Sequence, residues 1–381
     1  MRSLLLVLLL AHALLHTLGF LKGFGVAPLP QLMAPISRVG GVAWLVAGLL
    51  VGVAAAGLHS APRWGWAVAL VAVAVSQAVL CTSWSDARFG TLGNLLLLGA
   101  AVHGLAAFGP WSFRARYEAE VSRLLPHSAV ADVTEADLAP LPDPVQRYLR
   151  RAGVVGRPRI ANFRARWQGE IRSGPDAPWM AFTAEQHNFY PTGPDDRERP
   201  ARLFRMDARM KGLPVDVFHA FIGPAATMRV KVLSLVPMVD AAGPDMNRAE
   251  TVTLFNDLAI LAPSELVDPT IQWQPIDANT ARATYTRGGE RISAELVVNA
   301  AGELVDFVSD DRLAVASDGS TRMRWSTPVR AYREVEGRSV ASVGEAVWHA
   351  PAGPYTYIRL ELLEVAWNLG EGDGASENPH P

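Results

Sequence analysis

The stretch that indicates the fold of the larger part of this chain is RLFRMDARMK, residues 202–211. Apolar side chains occupy the even positions from Phe204 to Met210, and charged side chains occupy the odd positions from Arg205 to Lys211. A period of two is typical of a β-strand with one buried and one solvated face. We therefore predict a strand here, ended by the Gly-Leu-Pro turn that follows it.

The same alternation recurs along the chain, at Met228–Val236, Ile292–Val298 and Tyr355–Leu362. Residues 143–153, DPVQRYLRRAG, have the proline near the start and the glycine at the end that are typical of a short helix. Arg114–Leu125 reads as a short amphipathic helix. Strands therefore dominate, and the pattern favours an antiparallel sheet.

One longer helix is predicted within the run of strands. Residues 247–263, NRAETVTLFNDLAILAP, place apolar side chains at helical spacing, and Asn247 with Glu250 resembles a capping box at the N-terminus. A single helix among strands must bury its apolar face against the sheet. The predicted fold of this part is α+β, a curved antiparallel sheet with one or two packed helices.

Upstream of Arg114 the chain is almost free of charge. Of its 35 basic and 37 acidic residues, only six precede Arg114. Crossing a bilayer takes roughly 17 to 25 helical residues. Four uncharged segments are about that long, and we predict that they form a bundle of four transmembrane helices: Leu4–Phe20, Val42–Leu58, Trp64–Thr82 and Thr91–Phe108. A cleaved secretory signal is the alternative for the first segment.

The predicted localisation is the bacterial inner membrane, with several passes. With the N-terminus inside, the cytoplasmic segments hold one more basic residue than the outer segments, which favours a cytoplasmic C-terminal domain. The expected domains are a transmembrane domain (1–112), a juxtamembrane helix and linker (113–137), a β-rich domain (138–369) and a disordered tail (370–381). The part after the spans is slightly acidic, which argues against nucleic acid as a partner.

Several motifs together resemble a known family. They are HALLHTLGFLKGFG (12–25), PLPDPVQRYLRRAGV (140–154), MKGLPV (210–215), ETVTLFNDLAILAP (250–263), GELVDFVSDDR (302–312) and GEAVWHAPAGPYTYIRLELLEVAWN (344–368). This array resembles a family of bacterial membrane proteins that contain a domain of unknown function, over residues 4–368. The resemblance implies membership and no chemistry. At the level of fold alone, a curved sheet closed by helices looks like the lipoprotein-carrier domains.

Two histidines in the first span, His12 and His16, lie one helical turn apart, and His103 lies in the fourth span. One hypothesis is a haem or transition-metal site in the bundle, because imidazole is a common metal ligand. The other is that the histidines hydrogen-bond across helices to Ser76, Gln77, Asn94 or His103 and hold the helices in register. We favour the second, and predict no cofactor. Asp86 and Arg88, between the third and fourth spans, are read as a loop ion pair rather than as part of a transport path.

No hydrolytic, dinucleotide-binding or paired-cysteine motif is found, and the single cysteine, Cys81, excludes an internal disulfide. Candidate catalytic residues are the acidic side chains Glu250, Asp257, Asp310 and Asp311, while His187 and His219 are read as structural groups. An enzyme acting on a membrane-associated substrate is therefore an alternative function. It predicts at least two of these carboxylates within hydrogen-bonding range of each other.

The apolar content of the strands points to the leading hypothesis. Thioethers and aromatic rings suit a surface that accepts irregular hydrophobic ligands, and a domain tethered to a bilayer has lipid as its nearest abundant partner. We predict a membrane-anchored protein that binds a lipid or other amphiphile on the concave face of its sheet without catalysis. A structural or partner-binding module is the third possibility. The candidate ligand-binding residues are Phe204, Met206, Met210, Met228 and Trp273.

Overall fold

The computed structural model describes residues 2–125, 129–193, 196, 199–316 and 319–370. These residues belong to two compact units. The first consists of the chain up to Arg116 together with Leu233–Leu235, and the second of Tyr117–Val232 and the chain from Val236 onward. Apart from Gly370, the predicted tail lies outside the described residues.

The first unit is helical. Four stretches, Ser3–Gly23, Arg38–Ser60, Pro62–Thr82 and Gly90–Leu124, are long and apolar enough to cross a membrane. This matches the number and positions of the predicted spans. The helices are α1 (Arg2–Leu15), α2 (Thr17–Gly23), α3 (Arg38–Ser60), α4 (Pro62–Thr82), α5 (Trp84–Ala87) and α6 (Gly90–Phe108), and α7 (Phe113–Leu124) carries the chain into the second unit.

The first predicted span is divided into two helices at His16. The main-chain N–H of His16 bonds the carbonyl of Ala13, and that of Gly19 bonds the carbonyl of His16, so each bond reaches back three residues instead of four. Such tightening is typical of a short 3₁₀ segment within a helix. The apolar stretch therefore continues as helix on both sides of a single irregular residue.

The second unit is an α+β domain, as expected from the sequence. Its helices are α8 (Glu135–Leu138), α9 (Asp143–Arg151) and α10 (Pro244–Leu261), which a 3₁₀ turn (Pro263–Val267) follows. Its strands are β1 (Asn162–Ile171), β2 (Met180–Phe189), β3 (Ala201–Met210), β4 (Leu213–Ile222), β5 (Ala225–Val232), β6 (Val236–Ala242), β7 (Gln272–Pro275), β8 (Thr280–Arg287), β9 (Glu290–Val298), β10 (Leu304–Ser309), β11 (Leu313–Ala316), β12 (Gly319–Arg322), β13 (Trp325–Ser326), β14 (Val329–Val335), β15 (Arg338–Ala350) and β16 (Gly353–Trp367).

Fourteen of these strands form one sheet, in the order β6-β5-β4-β3-β2-β1-β16-β15-β13-β10-β9-β8-β7, with β14 paired to β15. The paired strands run antiparallel. Strands β11 and β12 form a separate hairpin. Most neighbours in the sheet are also neighbours in sequence, so short turns build most of it.

The sheet is curved. Arg287, at the end of β8, donates a hydrogen bond of 2.6 Å to the carbonyl of Gly223, in the turn between β4 and β5. Its guanidinium also lies over the ring of Phe221, 4.2 Å from the centroid. These strands stand near opposite edges of the sheet order, so only a strongly bent sheet brings them into contact.

Helix α10 lies on the concave side and supplies much of the core. Phe255 is fully buried, with its ring stacked on Tyr285 at 4.8 Å and edge-on to Phe307 at 5.7 Å. Tyr148 of α9 donates a hydrogen bond of 2.7 Å to the carbonyl of Ala259, which fixes the two helices to each other.

Two details of the sequence prediction are wrong. The helix begins at Pro244 rather than at Asn247, so Glu250 lies inside it and is not a capping residue; the Asn247 side chain accepts from the main-chain N–H of Ala226 instead. The predicted strand Met228–Val236 contains a turn, because Leu233 and Ser234 have positive φ angles of 56° and 58°. The apolar/charged alternation ends at Val232, directly before this turn.

Candidate functional site

The concave face of the sheet is the face that α10 covers, and in β3 it carries the even-numbered residues. Strand pairing places these residues in rows that run across β1 to β5. The two rows nearest α10 are Phe163–Asn188–Arg202–Phe221–Ala226 and Ala165–Gln186–Phe204–His219–Met228. Polar side chains are therefore concentrated where the helix meets the sheet.

A buried ion cluster joins the helix to these rows. Arg202 donates from Nε to Oδ2 of Asp257 at 2.7 Å and from Nη1 to Oε2 of Glu250 at 3.1 Å. Glu250 and Asp257 are seven residues apart, so they lie on the same side of α10. One arginine of the sheet thus holds two carboxylates that lie two turns apart on the helix.

Two amides of β2 complete the cluster. Gln186 Nε2 donates to Asp257 Oδ2 at 2.6 Å, and Asn188 Nδ2 lies 3.3 Å from the same oxygen. Gln186 also donates to Asn188 Oδ1 at 3.0 Å. Buried carboxylates need such donors, because an unpaired charge in the interior is very costly.

The two carboxyl groups respond differently to this environment. Burial favours the protonated form of both. At Glu250 the charge of Arg202, with His219 at 3.7 Å, outweighs burial and holds the pKa well below its usual range. At Asp257 burial prevails and raises the pKa. Of the two carboxyls that share this arginine, Asp257 is therefore the one that is protonated more readily.

The next two rows away from α10 are apolar. They are Trp167–Ala184–Met206–Val217–Val230 and Gly169–Phe182–Ala208–Val215–Val232. We call them the apolar rows. Apart from Val230 and Gly169, their members are buried. Five adjacent strands at about 4.8 Å give each row a length of about 19 Å.

Two features shape the β1 end of the apolar rows. A Cβ at Gly169 would lie 2.9 Å from Cζ of Phe182, so glycine allows that ring to lie close to β1. The buried indole N–H of Trp167 has no acceptor within the described part of the chain. An unpaired buried donor is uncommon in folded proteins, and it is a position from which a ligand oxygen could be bound.

The candidate ligand residues named from the sequence separate into two groups. The concave side of β3 carries Phe204, Met206 and Met210. On β5, Met228 pairs with His219 of β4. Trp273 is on β7, at the opposite edge of the sheet order. The structure therefore brings four of the five into one half of the sheet.

The acidic candidates also separate. Glu250 and Asp257 share Arg202, whereas Asp311 accepts from Arg248 at 2.6 Å and from the main-chain N–H of Ser293 at 2.7 Å. Asp310 pairs with Arg324. This ion pair lines a surface pocket of about 260 Å³, together with Arg282 and Glu295. A catalytic role for any of the four carboxylates stays a prediction.

His187 lies on the other face of the sheet. The hydroxyl of Tyr117 lies 2.7 Å from its Nδ1, and both side chains are buried. Burial lowers the pKa of His187 to about 3, so the ring is neutral and accepts the proton of the hydroxyl. This is the structural role expected for it.

In the first unit His12 and His16 belong to one polar network. His12 Nε2 lies 2.9 Å from Asn94 Oδ1, and His16 Nε2 lies 2.9 Å from Ser76 Oγ. Ser76 and Gln77 both bind Asn94, at 2.8 and 2.9 Å. Histidine bonding to Asn94 and to Ser76, two of the predicted partners, is thereby confirmed.

Glycine makes this network possible, since a Cβ at Gly93 would lie 2.5 Å from the His12 ring. His103 is outside the network and lies 2.9 Å from the carbonyl oxygen of Leu233. Within the described residues no three His, Cys, Asp or Glu side chains are grouped as metal ligands. A haem or metal site at His12, His16 and His103 stays a prediction.

The loop between the third and fourth spans differs in detail from its prediction. The Asp86 carboxylate accepts from the main-chain N–H of Ala34 at 2.8 Å, and Arg88 lies over the ring of Phe89. The Ala34 bond lowers the pKa of Asp86.

The residues that sequence reasoning missed are Arg202, Gln186 and Asn188. A signal for Arg202 was present in RLFRMDARMK, because this arginine stands at an even position, on the side otherwise occupied by apolar residues. A charge on the buried face of a strand predicts a buried partner of opposite charge. For the two amides no such signal was available, since polar residues on both faces of β2 conceal which face is buried.

The profile of a family of unknown function, DUF6544, matches residues 131–360. The chain belongs to this family. The matched residues of the DUF6544 chain include α10, the ion cluster and the apolar rows, and only Leu233–Leu235 of the first unit. No curated protein sequence matches it.

Solved structures give distant resemblances only. A DUF1329 family protein from Desulfovibrio piger shares 12% identity over 60% of this chain and 94% of its own, with a TM-score of 0.35. A LolA superfamily protein from Nitrosomonas europaea shares 9% identity over 58% and 93%, with a TM-score of 0.33. At these values the resemblance carries no functional conclusion for this DUF6544 protein.

Proposed function

We propose that this protein binds the acyl chain of a lipid or other amphiphile along the apolar rows of its concave sheet, without catalysing a reaction. The observation that carries the proposal is the register itself. Two neighbouring rows contain no ionisable or amide side chain across five strands, next to two rows that contain a buried ion cluster. The concave face thus has an apolar region and a polar end.

This division suits an amphiphile. Each methylene group removed from water contributes about 0.8 kcal/mol, so a chain of a dozen carbons on the apolar rows gives a large favourable term. Met206 supplies a flexible thioether that adapts to irregular chains. The free N–H of Trp167 provides a donor for a ligand oxygen within the same region.

The membrane supplies the ligand in this proposal. Four helical stretches are long and apolar enough to anchor the chain in a bilayer, so lipid is the most abundant apolar molecule near the domain. The proposal includes the expectation from the sequence that the domain binds its ligand as lipoprotein-carrier domains do, on the concave face of the sheet. A cytoplasmic position of the domain stays a prediction.

Photo-crosslinking of the full-length protein in lipid vesicles tests the proposal. The probe is palmitic acid with a diazirine on its chain, and adducts are located by peptide mass spectrometry. We expect adducts within β3 and β4, at or beside Met206 and Val217. Ala184→Phe should reduce labelling of these strands at least fivefold, because a phenyl ring in the centre of the row would compete with the acyl chain for the same apolar surface.

Thr183→Phe is the matched control, since Thr183 is exposed on the opposite face of the same strand. It should leave the labelling unchanged. Adducts confined to the four membrane helices, or equal labelling in the two variants, would show that the concave face does not bind acyl chains. Hydrogen exchange of β2 in each variant verifies that the sheet is intact.

A further inference from the structure

A second apolar surface of the β domain is formed by the ends of two strands. Leu213 is 38% exposed, Val236 is 52% exposed and Met238 is 58% exposed, and Pro237 between them is also exposed. We call these four residues the apolar tip. Among the described residues of the second unit, the other exposed large apolar side chains are Ile276, which follows β7, and Leu363 on β16.

Strand pairing places the apolar tip at one end of three adjacent strands. Val215 pairs with Val232, and Val232 pairs with Val236, so β4 begins and β6 begins beside the same end of β5. The opposite end of β5, at Ala225, is exposed but carries no large apolar side chain. The apolar character is therefore confined to one end of these strands.

Basic residues adjoin the apolar tip. Lys211 is exposed and directly precedes Gly212 in the turn into β4. Arg209 is exposed on β3, across from Pro214. Apolar side chains beside lysine and arginine are typical of protein surfaces that enter the interfacial region of a bilayer with anionic lipids.

We propose that the apolar tip inserts into the interfacial region of the membrane that holds the chain's own helices. Two independent observations select this occupant: the four helical stretches that are long and apolar enough to cross a bilayer, and the basic side chains, which complement anionic headgroups. The contact uses the ends of the strands and does not depend on acyl-chain binding along the concave face. It holds this end of the domain at the lipid surface.

The experiment uses the fact that Cys81 is the only cysteine. In a full-length Cys81→Ser background, Val236→Cys and Ala225→Cys are each labelled with the environment-sensitive fluorophore NBD. The two positions are separated by the length of β5, which is about 23 Å for eight residues. The proteins are placed in vesicles of phosphatidylcholine with phosphatidylglycerol, or of phosphatidylcholine alone.

We expect the label at position 236 to emit at shorter wavelength and to be quenched several-fold more by nitroxides on lipid acyl chains than the label at 225. The label at 225 should be quenched by aqueous iodide. Adding Lys211→Glu should weaken lipid quenching at 236 in the anionic vesicles and leave it unchanged in phosphatidylcholine alone.

Equal iodide quenching at the two positions would overturn the proposal. So would a blue shift at 236 that increases with protein density in the vesicles without lipid quenching, because it would indicate another copy pairing with the edge strand β6. The palmitate crosslinking pattern is a separate readout, so failure here leaves the concave-face proposal to its own test.

Discussion

Arg202 Nε donates a hydrogen bond to Asp257 Oδ2 over 2.7 Å, which ties the third strand of the sheet to the helix that lies on it. The same guanidinium also donates to Glu250, which lies on the same side of α10, two turns before Asp257. Both carboxylates and the arginine are largely buried. The position of α10 on the sheet is therefore fixed by charge as well as by apolar packing, and the apolar rows begin where these contacts end.

Removing the arginine should destabilise the domain strongly. Arg202→Met keeps much of the side-chain volume but leaves two buried carboxylates without their cation. Loss of one partner of a buried ion pair costs about 3 to 5 kcal/mol. Urea unfolding of the full-length protein in detergent, followed by tryptophan fluorescence, should show a loss of that size. Hydrogen exchange should show the loosening at α10.

The control is Arg282→Met, which removes an ion pair between partly exposed side chains, Arg282 and Glu295. Its effect should stay within about 1 kcal/mol. The triple variant Arg202→Met, Glu250→Gln, Asp257→Asn should recover part of the loss, because no buried charge remains. If Arg202→Met and Arg282→Met lowered the free energy of unfolding equally, the buried ion cluster at Arg202 would not be what holds α10 on the sheet.

In the helical unit, Asn94→Leu should weaken the packing of the spans. Asn94 Oδ1 accepts from His12 and from Ser76, and its amide reaches Gln77, so one substitution leaves three polar groups short of a partner. Polar contacts between membrane helices contribute on the order of 1 to 2 kcal/mol. The loss is measurable by unfolding in mixed micelles of increasing SDS content.

Leu95→Ala is the control for this substitution, since Leu95 is adjacent and 57% exposed. It should change the unfolding midpoint much less than Asn94→Leu. If both variants have the same unfolding midpoint as the unchanged protein, the polar network does not contribute to the stability of the helix bundle.

The stability of the β domain should depend on Asp306 through pH. Burial raises the pKa of Asp306 to about 6. The main-chain N–H groups of Phe307 and Thr327 favour the charged form and lower the pKa, but burial has the larger effect. An unfolded aspartate has a pKa of about 3.9, so the folded state binds the proton more tightly. As pH rises from about 4 to about 6, this residue therefore lowers the free energy of unfolding.

Asp306→Asn removes that dependence. Relative to the unchanged protein, the variant should gain stability steadily from pH 4 to pH 6 and keep a constant advantage above it. Urea midpoints at four pH values give the difference directly, and other titrating groups cancel because both proteins contain them. A difference that does not vary with pH would show that Asp306 titrates normally in the fold.

Local patterns in the sequence predicted most of the elements. Charge depletion gave the four apolar spans, and alternation gave β3, β9 and the middle of β16, because burial on one face leaves a direct trace in residue order. Element ends were less well predicted. At Leu233 and Ser234 a turn with positive φ interrupts the predicted strand Met228–Val236, although its alternation ends at Val232.

The sequence by itself determined the division into apolar helices and a β-rich domain, and it named most of the apolar residues on β3 and β5. Only the tertiary structure decided which of them share a row, because register depends on pairing between strands that no single segment encodes. The same holds for Arg202, Glu250 and Asp257. Their charges are separated by 48 and 55 positions in the chain, and only the packing of α10 on the sheet brings them together.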